Sequence, residues 1–165
     1  MKLLERFGMV DYKSVSTPME LNCKLSGNIV GLVPANPTKY RQLMVALMFL
    51  GISRPDACFA VNTLSQHMVD PHHIHWIGAN NMLRYIWGTI NHGLRYTVES
   101  LRLRGYTNVD WVGSVVDRKS TSGCFFTLGC ASVSWMSKKQ KSVALSTAEA
   151  EYIAPSMVCC EVVWL

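Results

Sequence analysis

One stretch of the chain combines basic and aromatic side chains in a pattern that suits contact with phosphates. Residues 101–141 carry seven basic and two acidic side chains, whereas the rest of the chain carries nine of each, and the net charge is +5. The basic residues taken as candidate nucleic-acid contacts are Arg118, Lys119, Lys138, Lys139 and Lys141. Aromatic residues such as Trp111 and Trp135 lie among them. A phosphate-facing surface explains this pattern, and an ordinary solvated face explains the charge alone equally well.

Histidines and cysteines are the other residues whose types could bind a metal. His67, His72, His73 and His75 lie close together, but only His72 and His75 have the i, i+3 spacing that places two ligands on one helix face. The six cysteines include no CxxC pair, so a zinc knuckle or a thioredoxin-like centre is not predicted. We therefore predict no metal site at either set.

The first half of the sequence predicts helices that follow an extended segment. A short helix ends at Gly8, and residues 10–37 contain three prolines and no sustained periodicity, which predicts an extended linker. A strongly apolar helix is predicted over 40–51. A second begins at Pro55 and ends by Asp70-Pro71, and a third covers about 72–87.

After Gly93 the hydrophobic period changes from about 3.6 to 2. Strands are predicted over 94–98, 101–109, 122–128 and 131–136, with a tight connection at Gly129-Cys130. Ser146 followed by Glu149 forms a capping box, which predicts a helix from there to the C-terminus. The order is three helices, then three or four antiparallel strands, then one helix, so the predicted fold class is α+β.

Composition places the chain among globular proteins. Apolar residues make up 49% and charged residues 16% of the sequence. The longest apolar run, 43–52, has ten residues, about half of what a bilayer crossing needs. With no signal-peptide or transmembrane pattern, we expect a cytoplasmic or nuclear location.

Several stretches together resemble copia-type LTR retrotransposon Pol polyproteins. The matching segments are LLERFGM at 3–9, VSTP at 15–18, YRQL at 40–43, RPD at 54–56, LRY at 83–85, GT at 88–89, DRKSTSG at 117–123, SW at 134–135, KKQ at 138–140 and ALSTAEAEYIA at 144–154. They cover nearly the whole chain in the order of the family.

The resemblance implies three regions. Residues 1–37 correspond to the tail of a reverse transcriptase and an extended linker, residues 38–93 to a helical connecting region, and residues 94–165 to an incomplete ribonuclease H-like domain. In that fold three antiparallel strands precede a helix and a parallel fourth strand. The sequence ends before a fourth strand is written, so we expect a truncated module.

The family cuts the RNA strand of an RNA–DNA hybrid with two Mg²⁺ ions, which require converging carboxylates. The resemblance places the first acid at Asn108, where the family has Asp, and the second at Glu151; a third would lie beyond Leu165. Asp110 shares the strand face of Asn108 and is a weak substitute, about 6–7 Å further along. Pro155 also removes a helix hydrogen bond to Glu151. We therefore expect no tight Mg²⁺ binding and no catalysis.

The expected function is that of a degenerate, truncated Pol fragment derived from the reverse transcriptase/ribonuclease H region. One alternative is a Mg²⁺-dependent ribonuclease H completed by a partner chain, and another is a module that binds RNA–DNA hybrids or other nucleic acid weakly and without sequence preference. Without a fourth strand, 101–109 would expose its backbone edge, so we expect self-association there.

Overall fold

The computed structural model describes residues 2–20, 25, 33–96, 102–111, 113–114 and 117–164. The chain divides into two units, Met1–Gly93 and Leu94–Leu165. Within the described residues, the first unit is helical and the second holds an antiparallel sheet of three strands followed by a helix. The predicted α+β fold class is thereby confirmed. No helix of this described part is long and apolar enough to cross a membrane.

The helices of the first unit are α1 (Lys2–Arg6), α2 (Pro37–Gly51), α3 (Pro55–Ser65) and α4 (His73–Gly88). Local signals fix where α2 and α3 begin: each has a proline in its first turn, and the side chain of Asn36 accepts a hydrogen bond of 3.0 Å from the backbone N–H of Lys39. Helix α3 ends at Ser65, five residues before the predicted Asp70-Pro71 boundary.

The apolar faces of α2, α3 and α4 form the core of the first unit. On α2 the buried positions follow helical spacing: Tyr40, Leu43, Met44 and Leu47. The buried Tyr40 hydroxyl donates a hydrogen bond of 2.8 Å to the Leu64 carbonyl, which ties α2 to the end of α3. Gly78 lets α4 approach closely, because a Cβ there would lie 2.9 Å from a Leu64 methyl group.

The linker predicted over 10–37 falls partly outside the described residues. Its described residues before Asn36 form neither a helix nor a multi-residue strand, although Pro34 makes a β-bridge with His72. Two backbone hydrogen bonds accompany the bridge, from Ala35 to Pro71 and from His73 to Val33. The bridge therefore holds the end of this segment beside the start of α4.

The second unit contains β1 (Leu103–Asp110), β2 (Thr121–Leu128), β3 (Ala131–Lys139) and α5 (Thr147–Val162). The strand order is β1-β2-β3, and both pairings are antiparallel. Gly129, with a φ of +62°, makes the tight β2–β3 connection that the sequence predicts. The strand predicted over 94–98 is not present in its described part, 94–96; no described strand pairs with these residues, and alternation alone does not form a ladder.

Helix α5 covers one face of the sheet. The buried side chains of β2 are Ser122, Cys124 and Phe126, which alternate with half-buried neighbours. A Cβ at Gly105, opposite Phe126, would lie 2.8 Å from the Phe126 ring and 3.5 Å from Val158 of α5. The odd-numbered residues of β1 therefore face α5, and the even-numbered residues face away from it.

Polar contacts hold α5 on this face. The buried Gln140 amide donates hydrogen bonds of 2.8 Å to the Ser122 hydroxyl and 3.1 Å to the Ala150 carbonyl. At the other end of the helix, the Ser134 hydroxyl donates one of 2.9 Å to Glu161. The predicted Ser146 cap is present, because the Ser146 hydroxyl accepts from the N–H of Glu149 at 3.1 Å. The Glu149 carboxylate accepts from the N–H of Leu145 at 2.7 Å, and not from that of Ser146 as a full capping box requires.

Candidate metal and nucleic-acid site

The two β1 candidates, Asn108 and Asp110, lie on the sheet face that α5 does not cover. Both have even numbers on a regular strand, and they pair with Gly123 and Thr121. Both side chains are exposed. In this register Asn108 and Asp110 share one strand face, as predicted. That face is turned away from α5, the helix that carries Glu151.

Local contacts already engage Asn108. Its side-chain oxygen accepts a hydrogen bond of 2.9 Å from the backbone N–H of Val109. An amide oxygen carries no net charge, so it is a much poorer ligand for a divalent cation than a carboxylate. Asp110 lies against the turn that follows β1, because a Cβ at Gly113 would collide with its Oδ2 atom.

Glu151 is exposed on the outer side of α5. It lines an open groove of about 560 Å³ together with Thr147, Ala148, Tyr152 and Pro155, all of which belong to the same helix. None of the described strand residues lines this groove. Helix α5 runs unbroken through Pro155 to Val162, so the proline does not end the helix.

The acidic residues of the described segments do not fit a two-Mg²⁺ centre. Such a centre needs several carboxylates that converge on one point. Among the described residues there is no group of three or more His, Cys, Asp or Glu side chains that could hold a metal ion. The donors present in the β1 position are one amide and one displaced carboxylate, which is too little negative charge for two divalent cations.

The candidate basic residues divide into two kinds. The Lys139 ammonium contacts the Asp117 carboxylate at 3.0 and 3.2 Å, so its charge is balanced locally. Hydrogen bonds from Ser114 first, and then from Lys139 and the Lys119 backbone, lower the pKa of Asp117 to about 2. Arg118, Lys138 and Lys141 are exposed.

The histidines play a structural part in the first unit. The buried His75 ring accepts at Nδ1 a hydrogen bond of 2.8 Å from the backbone N–H of His72, and its Nε2 lies 2.9 Å from the Leu25 carbonyl. Nε2 must therefore carry the proton that it donates to that carbonyl. The His67 ring stacks on His75 with centroids 3.9 Å apart. Because both ring nitrogens of His75 are engaged, it offers no lone pair to a metal.

Sequence reasoning missed a network that joins two of the motifs. The Arg54 guanidinium donates hydrogen bonds of 3.0 and 2.6 Å to Asp56, and two more to the carbonyl and hydroxyl of Thr89 at 3.1 and 2.7 Å. Tyr85 donates one of 2.7 Å to Asp56. The hydrogen bonds from Arg54 are the main cause of the lowered pKa of Asp56. RPD at 54–56 and GT at 88–89 contain three of these residues, but nothing in their spacing indicates that they meet.

Relatives of the chain include several retrovirus-related Pol polyproteins. The retrovirus-related Pol polyprotein from transposon RE2 of Arabidopsis thaliana is 40% identical over 164 residues, which are 99% of this chain and 11% of that polyprotein. An uncharacterized mitochondrial protein of the same plant is 35% identical over 164 residues, 99% of this chain and 68% of that protein. A secreted RxLR effector protein of Plasmopara viticola is 44% identical over 128 residues, 76% of this chain and 90% of the effector.

No family model matches the chain. No solved structure matches it either. The chain spans about a tenth of the length of the RE2 polyprotein. The same alignment covers 99% of the chain. Because these relatives align with both units of the chain, the chain belongs to the copia-type retrotransposon Pol polyprotein family.

Proposed function

We propose that this chain is a ribonuclease H-like segment of a Pol polyprotein, preceded by a connecting region, and that it has no nuclease activity of its own. The observation that carries the proposal is Asn108: an amide stands where the family resemblance places an aspartate, and its oxygen already accepts the Val109 N–H. Mg²⁺ prefers hard, charged oxygen ligands, so this substitution removes the ligand that the first metal would need most.

The remaining acids do not compensate for Asn108. Asp110 lies two residues further along the strand, about 6–7 Å away. Glu151 lies on a helix that covers the opposite sheet face. Hydrolysis by two metals requires both ions to be held on the same phosphate, and these three positions do not converge on one point.

The proposal is tested with a labelled RNA–DNA hybrid and the whole purified chain in Mg²⁺ or Mn²⁺. We expect no cleavage by the chain, and none by the Asn108→Asp variant, because one restored carboxylate still lacks partners. An active ribonuclease H serves as the positive control on the same hybrid. Metal-dependent cleavage that Glu151→Gln abolishes would overturn the proposal and support a nuclease.

A calorimetric titration with Mg²⁺ tests the same premise without any activity measurement. We expect weak, non-stoichiometric heats for the chain and for Glu151→Gln alike. Tight uptake of one or two ions per chain would show that the carboxylates converge after all, and the proposal would then fail whether or not cleavage is seen.

A further inference from the structure

A row of three aromatic side chains crosses the sheet on the face that α5 leaves open. Tyr106 of β1 is the direct partner of Phe125 of β2, and Phe125 is the direct partner of Trp135 of β3. Directly opposed residues of antiparallel strands project to the same face. Tyr106 has an even number on β1, so this face is the one turned away from α5.

The exposed ring surface of the row lies mainly at Tyr106. The Tyr106 and Phe125 ring centroids lie 6.5 Å apart, and their planes are tilted by 42°. The Tyr106 side chain is 54% exposed, and Phe125 and Trp135 are half-buried. By contrast, Phe126, which faces α5, is fully buried. The aromatic row is therefore not used to pack the helix of this unit.

Positive charge accompanies the row at one end. Arg104 lies two residues before Tyr106 on β1, so it projects to the same face, and its side chain is exposed. Among the described residues, none of the ion pairs involves Arg104. The acid on this face of β1, Asp110, lies at the opposite end of the strand.

We propose that this open face binds single-stranded nucleic acid, with bases stacked on Tyr106, Phe125 and Trp135 and a backbone phosphate at Arg104. Exposed aromatic rings beside a cation are the combination that single strands recognise, because every base presents a flat π surface whatever its identity. A duplex keeps its bases stacked inside and cannot offer them to the row. The site is independent of any metal, so it does not depend on the absence of nuclease activity.

The binding test uses the whole chain and fluorescently labelled oligouridylate, oligothymidylate and a blunt RNA–DNA hybrid, followed by fluorescence anisotropy. We expect both single strands to bind more tightly than the hybrid. A preference for oligouridylate would assign the site to RNA, and equal affinities would assign it to single strands of either kind. Tighter binding of the hybrid would overturn the proposal.

Substitutions at two positions, Tyr106 and Arg104, locate the site. Tyr106→Ala should weaken single-strand binding about tenfold, the loss expected for one stacked base. Tyr106→Phe should keep most of the affinity. Arg104→Gln should lower the slope of log affinity against log salt by about 0.7, as expected for one phosphate contact. Tyr152→Ala is the matched control, because Tyr152 is an 83% exposed tyrosine on α5, away from the row.

Other occupants of the face give different results. If a second copy of the chain covers it, Tyr106→Ala will reduce concentration-dependent dimerisation and leave nucleic-acid affinity unchanged, which would overturn the proposal. Absence of binding at low salt would overturn it as well. Circular dichroism of each variant shows whether the sheet is intact, and photo-cross-linking of a 4-thiouridine oligonucleotide to peptide 103–110 supplies a readout that needs no variant.

Discussion

The phenol of Tyr85 donates a hydrogen bond of 2.7 Å to Oδ2 of Asp56, across 29 residues of sequence. The same carboxylate accepts two of the four hydrogen bonds that Arg54 donates, and the Arg54 side chain is only 8% exposed. Asp56 thus balances a nearly buried guanidinium at the start of α3 and fastens it to α4. In the first unit these motif residues act as structural ties.

Asp56→Asn should therefore destabilise α3 and α4. The change leaves Arg54 without its counter-charge, so we expect a loss of about 2 kcal/mol, and about 1 kcal/mol for Tyr85→Phe. Native-state hydrogen exchange of peptides from the two helices measures these losses separately from the second unit.

The control for this prediction is Tyr12→Phe, which changes a 54% exposed tyrosine of the same unit and should stay within about 0.5 kcal/mol of the parent. The pKa of Asp56 is lowered, mainly by Arg54, so its contribution is present above about pH 3.8 and is lost as the pH falls further. An Asp56→Asn variant with unchanged exchange in α3 and α4 would contradict the assignment.

Acidification below about pH 6.5 should destabilise the first unit through His75. Burial is the main cause of the lowered pKa of His75, with His72 acting in the same direction and Asp70 and the Leu25 carbonyl against it. A histidine whose pKa is lower in the folded state than in the unfolded state makes its full contribution to folding stability above pH 6.5. This contribution falls progressively as the pH drops below 6.5. Protonation at Nδ1 would also break the hydrogen bond from His72.

Urea denaturation at several pH values between 5 and 7.5 measures this dependence. His75→Gln removes the titrating group, so the pH dependence should flatten even though the variant is less stable at neutral pH. His73→Gln changes an exposed histidine of the same helix and should keep the slope of the parent. Equal slopes in the parent and His75→Gln would refute the role of His75.

Much of the fold follows from local patterns in the sequence. Local physical causes explain Pro55 at the start of α3, the i, i+3, i+4, i+7 burial of α2, and Gly129 between two alternating segments. Helix α2 begins at Pro37, in the predicted linker and three residues before the predicted start at 40. The bond between Arg54 and Thr89 has no such local cause, because it joins residues 35 apart, and no periodicity specifies which distant groups meet. The predicted strand over 94–98 was wrong in its described part because a strand requires a partner.

In the candidate site too, local features follow from the sequence, whereas contacts between distant residues do not. The family resemblance indicates Asn108 as the first site position, and the strand spacing predicts that it shares a face with Asp110. Which face α5 covers depends on packing, and the positions of Phe126 and Val158 beside Gly105 reveal it together with the hydrogen bond from Ser134 to Glu161. The ion pair that balances Lys139 with Asp117, 22 residues away, was equally hidden. Charge counting therefore overstated the number of cations available to a ligand.

Gly105 should tolerate no side chain, whereas Gly123 should. A Cβ at Gly105 would lie 2.8 and 3.2 Å from two carbons of the buried Phe126 ring, while the nearest atoms to a Cβ at Gly123 are 3.9 Å away. Overpacking against a fixed ring costs about 1–3 kcal/mol, so Gly105→Ala should destabilise the second unit by that amount. Gly123→Ala is the matched control on the neighbouring strand. Thermal denaturation of both variants decides the matter, and equal stabilities would show that the Phe126 ring moves aside without cost.

The isolated chain should self-associate through β1, as expected from the sequence for 101–109. Within the described residues, the strand order is β1-β2-β3 and both outer strands are edges. The pairing of β3 contains a bulge and its end carries two lysines, features that discourage strand addition, whereas β1 is paired without a register shift. A further strand can therefore be added more easily at β1.

Sedimentation velocity at increasing protein concentration measures this association, and hydrogen exchange shows which strand becomes protected. We expect larger species at high concentration with slower exchange in 103–110 and unchanged exchange in 131–139. Thr107→Lys places a charge on the β1 edge and should keep the chain monomeric, whereas Val133→Lys on β3 should not. A parent chain that stays monomeric and exchanges at the same rate at every concentration would rule out association through this edge. Equal effects of the two lysine variants would instead show that charge alone, rather than the open backbone of β1, controls the assembly.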